Sequence, residues 1–124
     1  MTKDKEDYVS FKVAKLLKEK GFDERTIYHY ITGDTLQHNI AYNQYKNSEM
    51  ENAYSAPTHQ MARRWLRKTH RIDIIIEISH PSDNDRKYYC MIWDGNNNSY
   101  ILDLFNSYEE AVEAALEYCL ENLI

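Results

Sequence analysis

From residue 72 onward the chain reads IDIIIEIS (72–79), KYYCMIWD (87–94), YILDLF (100–105) and SYEEAVEAALEYCLENLI (107–124). In the first segment Ile72, Ile74, Ile76 and Ile78 alternate with Asp73, Ile75, Glu77 and Ser79, the period-2 pattern of a half-buried strand rich in β-branched residues. Two more strand-like runs follow, joined by polar connections at 80–86 and 94–99. Ser107 and Glu110 form a capping-box pair opening a helix that runs almost to Ile124. Its predicted buried side is Ala111, Val112, Ala115, Leu116, Cys119 and Leu123. Three strands in succession and then an amphipathic helix predict an antiparallel meander with a helix on one face.

Upstream lies a helix over 57–70. Pro57 suits its first turn, Ser55 or Ala56 is the expected cap, and Met61, Ala62, Trp65, Leu66 and Thr69 form its expected apolar stripe. The first helix is read at 11–20, with Ser10 as N-cap and Val13, Leu16 and Leu17 as its stripe. Gly21 fits the left-handed position after that helix, with Phe22 folding back on Leu17. Between the two helices, 27–42 reads as a hairpin. Gly33-Asp34 is expected as a two-residue type II′ turn, placing Ile31 opposite Leu36, Ile27 opposite Ile40 and His29 opposite His38 on one face. Tyr28 and Tyr30 would then point the other way. The polar stretch 43–54 reads as a loop or ragged strand end. The resulting order, α-β-β-α-β-β-β-α, predicts an α+β fold: one domain over 1–124, an antiparallel sheet with helices packed on one face, and a frayed N-terminus at 1–8.

Composition narrows the classes. The 124 residues carry 15 Lys+Arg and 20 Asp+Glu, a net charge of −5, and only two Cys. An apolar content of 43% excludes wholesale disorder, no apolar run reaches the ~20 residues of a membrane helix, and two Cys make no disulfide framework. The charge is unevenly spread. No Lys or Arg follows Lys87, whereas seven acids do. Residues 55–72 hold five cations and no acid.

The segments VSFKVAKLLKEKGFDE (9–24), SAPTHQMARRWLRKTH (55–70) and SYEEAVEAALEYCLENLI (107–124) together resemble a group of small uncharacterised proteins of gut Bacteroidales and their phages. The resemblance runs along nearly the whole chain in order. It implies an accessory protein of phage or mobile-element type, and no activity, cofactor or catalytic residue comes with it.

Two charged rows stand out. Arg63, Arg64, Arg67, Lys68 and Arg71 fall on one helical arc opposite the apolar stripe, where they could contact phosphates. Glu109, Glu113, Glu117 and Glu121 repeat every four residues on the last helix, a like-charge pattern that a cationic neighbour would relieve. An α-β-β-β-α order over 55–123 matches a double-stranded-RNA-binding domain. An acidic start to its second helix would repel RNA, so that reading is set aside. His29 and His38 supply two potential ligands where a structural metal usually takes four, so no metal site is assigned. Asp94, Asn96 and Asn98 lack the glycine and the terminal glutamate of a calcium loop. Cys90 and Cys119 sit at core-patterned positions. No phosphate loop, nucleophile elbow, HExxH or CxxC motif is present.

The expectation is therefore a cytoplasmic, non-catalytic module without cofactor or membrane partner. It would bind a protein, a second copy of itself included, through the tyrosine-bearing hairpin (Tyr28, Tyr30, His29, His38) or a charged helix face. Nucleic-acid binding by Arg63, Arg64, Arg67, Lys68 and Arg71 is the alternative.

Overall fold

A computed structural model describes residues 7–80 and 86–124. The connection expected at 80–86 therefore lies largely outside the described residues, as does most of the expected frayed N-terminus. The fold is α+β, with three α-helices and two three-stranded antiparallel sheets among the described residues. Where the sequence reading drew one sheet, the strands divide between two. The chain falls into two compact units, Met1–Ala62 and Arg63–Ile124.

In the first unit, α1 (Phe11–Glu19) begins at Ser10, whose hydroxyl accepts from the Val13 N–H. Its end matches the expectation. Gly21 has φ 94°, its N–H bonds the Lys18 carbonyl, and the Phe22 N–H bonds the Leu17 carbonyl. This paired arrangement needs a left-handed residue, which glycine supplies without steric cost. Val13, Ala14, Leu17 and Phe22 are buried. Tyr8 and Val9 are part of the structure: Tyr8 bridges to Thr58, and Val9 is fully buried.

The first sheet has the order β2-β1-β3, with β1 at Tyr28–Tyr30, β2 at Gln37–His38 and β3 at Tyr54–Ser55. The hairpin register differs from the expected one. Tyr28 pairs with His38 and His29 with Gln37, a shift of one residue. Because side chains alternate, that shift exchanges the faces. Tyr30 is buried, its ring edge-on to Phe11 and its hydroxyl donating to the Val9 carbonyl at 2.7 Å. Ile31 and Ile40, expected on one face with His29 and His38, are both exposed.

The polar stretch after the hairpin is held by asparagine side chains acting as backbone substitutes. Asn39, buried, donates to the Thr26 and Asn43 carbonyls, and its Oδ1 meets His29 Nδ1. Asn47, also buried, donates to the Phe22 carbonyl at 2.9 Å and accepts from the Ser55 N–H at 2.8 Å. Lys18 Nζ donates to the Met50 and Ala53 carbonyls and lies over the Tyr54 ring. These bonds add side-chain partners to backbone groups along an irregular stretch, where strand pairing is limited to short ladders and the Thr26–Tyr45 bridge.

Helix α2 (His59–His70) starts later than expected. Thr58 caps it by accepting from the Met61 N–H, whereas Ser55 is buried within β3. Ala62, Trp65 and Leu66 are buried as expected, but Thr69 is exposed.

The second unit carries the meander β4-β5-β6, at Asp73–His80, Lys87–Trp93 and Ser99–Phe105, followed by α3 (Tyr108–Asn122). Cross-strand rows Ile74–Ile92–Tyr100 and Ile76–Cys90–Leu102 form the inner face. Against it lies α3, with Tyr118 beside Tyr100 and Tyr108 edge-on to Tyr88. Ala111, Val112, Ala115, Leu116, Cys119 and Leu120 are buried on that helix; Leu123 is half-buried. Ser107 accepts from the Glu110 N–H, while the Glu110 carboxylate reaches back to the Asn106 N–H, one residue beyond the usual capping box.

Both cysteines are buried free thiols near each other. Burial pushes the Cys119 thiol up to about 12 and raises Cys90 as well. Since the thiolate is the reactive form, neither cysteine should react with iodoacetamide at pH 8 in the native protein, and both should react in denaturant. Alkylation of either thiol on the native timescale, followed by mass spectrometry, would contradict this placement.

Candidate binding faces of the second unit

The basic row divides on inspection. Arg63 is half-buried and tied into the fold. Its Nη2 donates to the Ile74 carbonyl at 2.6 Å and its Nη1 to the Tyr108 hydroxyl at 3.0 Å. Strand β4 lies at an edge of its sheet, so this guanidinium satisfies a carbonyl with no strand neighbour. Arg64, Arg67, Lys68 and Arg71 are exposed, so the acidic helix α3 does not bury them.

Arg71 lies just past the helix with φ 59°, a conformation usually given to glycine or asparagine. The turn after β5 passes against it. A Cβ added to Gly95 would lie 3.3 Å from the Arg71 Cβ and 3.7 Å from the His70 carbonyl oxygen.

That turn is organised by Asp94. Its carboxylate accepts from the N–H groups of Asn96 and Asn98 and from the Tyr100 hydroxyl. With its oxygens taken up locally, Asp94 serves as a turn former. The same bonds hold its carboxyl below the usual carboxylate range; Ser48 does likewise for Asp23 through its N–H and hydroxyl. A carboxylate depressed in the folded state contributes stability above its unfolded pKa and loses it as pH falls through the folded value. Melting temperature should therefore drop below about pH 4. Asp94→Asn should lower it at neutral pH and weaken the acid dependence. An unaltered acid limb in that variant would contradict the assignment.

The outer face of the second sheet carries an apolar row that is partly open to solvent. The row Ile75–Met91–Ile101 crosses all three strands, flanked by Asp73–Trp93–Ser99 on one side and Glu77–Tyr89 on the other. Ile75 is 41% exposed, Trp93 40% and Ile101 59%. The inner-face neighbours Cys90 and Ile92 have no exposure at all. The Tyr89 hydroxyl donates to the Glu77 carboxylate at 3.1 Å, which raises the tyrosine above its ordinary value. The signal for this face was present in the sequence: Ile75, Met91, Trp93 and Ile101 are large apolar residues at outward positions of their strands.

The tyrosine-bearing hairpin offers less than expected. Tyr30 belongs to the core. Tyr28 is half-buried beside Tyr8, with ring centroids 5.0 Å apart. His29 and His38 are not opposed: His29 bonds the Asn39 side chain and His38 the Asn39 carbonyl. Among the described residues no group of three or more His, Cys, Asp or Glu is placed to hold a metal. A cleft of about 160 Å³ lined by Tyr8, Arg25, Tyr28, Pro57 and Met61 lies in the first unit. It is small beside the ~300–1,000 Å³ of typical ligand sites. Among the described residues no helix is long and apolar enough to cross a membrane.

Comparison with protein-family models, curated proteins and solved structures gives no match to the chain.

Proposed function

We propose that the protein is a non-catalytic interaction module that binds a protein partner on the outer face of the β4-β5-β6 sheet. The supporting observation is the row Ile75–Met91–Ile101, exposed at both ends and half-buried at Met91, with exposed Trp93 beside it. Contiguous apolar surface of this kind marks interaction sites, and Trp, Tyr and Met are enriched in interface cores. The partner's chemistry follows from the rim. Asp73 and Glu77 share this face with the apolar row. A complementary surface is apolar at its centre and basic around it. Symmetric self-pairing would set Asp73 and Glu77 against their own copies, so charge favours a different chain. The resemblance to small phage-associated proteins fits an accessory role inside a bacterial host.

The test is affinity capture from a host lysate with three baits: wild type, Ile75→Glu/Ile101→Glu and Arg67→Glu/Lys68→Glu. A protein held by the first and third baits and lost from the second supports the assignment. A captured set unchanged by the sheet substitutions, or no captured protein, contradicts it.

A further inference from the structure

A separate face of the same unit carries a second site. We infer that the C-terminal half of α2, together with the Asn96–Asn98 turn, is a contact surface for the phosphate backbone of double-stranded nucleic acid. Arg64, Arg67, Lys68 and Arg71 are exposed. They lie along about 10 Å of helix, with no acid from residue 55 to residue 72. The asparagine turn adjoins them because Gly95 passes against Arg71 and His70, and all three of its asparagines are exposed. Asp94, the nearest acid in that turn, has its carboxylate directed at the turn's own N–H groups. Asp73 lies on the outer sheet face, in the row of Trp93.

Arg71 strengthens the assignment. It occupies a left-handed position at the end of a helix, φ 59°, where glycine would be unstrained. Retaining a long cationic side chain at a strained position is consistent with a use for that side chain. The ligand class follows from what this face contains and lacks. Single-strand binders stack bases on aromatic rings. This row holds Arg, Lys and Asn only, a set that tracks phosphates and sugar edges along a duplex.

The experiment is a fluorescence-polarisation titration of the full chain with a labelled duplex DNA, a duplex RNA and their separated strands. The account predicts duplex binding that weakens about 40-fold between about 50 and about 200 mM salt, as expected for roughly three phosphate contacts. Arg67→Glu/Lys68→Glu should abolish it. Arg71→Gly should weaken binding several-fold while leaving the melting temperature equal or higher, a separation that a purely structural arginine would not give. Ile75→Glu/Ile101→Glu should bind duplex as wild type does, which keeps this site distinct from the sheet face. The DNA and RNA arms decide which duplex is preferred. The inference is overturned by absence of binding at the lower salt, by equal or tighter binding of single strands, by binding that survives the charge reversal, or by displacement with polyglutamate at matched charge.

Discussion

Asn47→Ala should destabilise the protein by about 2–4 kcal/mol, read from urea unfolding. The side chain is buried and joins two distant backbone groups, the Phe22 carbonyl and the Ser55 N–H. Truncation takes a buried hydrogen-bond partner from each, at about 1–3 kcal/mol for each group left unsatisfied. The Ser55 amide is the local reporter: its hydrogen exchange should accelerate by the factor that the unfolding data predict. Asn47→Asp should be no better, because a carboxylate cannot donate to the Phe22 carbonyl. A loss under about 1 kcal/mol would mean that water or a rearranged backbone replaces the amide.

Arg63→Ala should cost about 1–3 kcal/mol, whereas Arg67→Ala, four residues away on the same helix, should stay within about 0.5 kcal/mol of wild type. The difference comes from geometry rather than charge. Arg63 closes the edge of β4 through the Ile74 carbonyl and reaches Tyr108 at the start of α3. Arg67 is exposed. Thermal melts of the two variants side by side provide the check. Equal stability would return Arg63 to the exposed row. A comparable loss in both would show that the whole row is structural, and would count against a ligand on it.

The parts of the fold legible in the sequence are those fixed by local chemistry. Ser10 and Gly21 bracket α1, and Ser107 opens α3, because caps need particular residue types within one turn. The alternation puts Ile72 and Ile74 on the buried face of the second sheet, whereas Ile78 at the far end of the strand is 42% exposed; both cysteines lie where periodicity put them.

The hairpin register departs from simple alternation for a physical reason. Alternation groups Ile27, Ile31 and Ile40 on one hairpin face and sets Tyr28 and Tyr30 on the other. Tyr30, however, buries a larger ring and still finds a carbonyl for its hydroxyl. Asn39 then anchors the returning strand through three polar contacts that no apolar pattern encodes. The split of the basic row escaped the sequence for the same reason. A helical wheel places Arg63 with its neighbours, and only the tertiary position of Ile74 distinguishes it. The outer sheet face was half legible. Ile75 sat among the polar positions of its strand, yet only the register with Met91 and Ile101 turns it into a surface.

Tryptophan emission tests that surface most directly. Trp93 is exposed at its edge, whereas Trp65 is buried, so a change in emission on binding reports chiefly on Trp93. The probes are two amphipathic peptides with the same leucine face, one carrying lysines on its polar side and the other glutamates. The account predicts a blue shift and protection from acrylamide with the lysine peptide, neither with the glutamate peptide, and loss of both effects in Ile75→Glu/Ile101→Glu. An equal response to the two peptides, no response to either, or a shift that grows with the concentration of the protein alone would contradict a basic-rimmed partner on the outer face of β4-β5-β6.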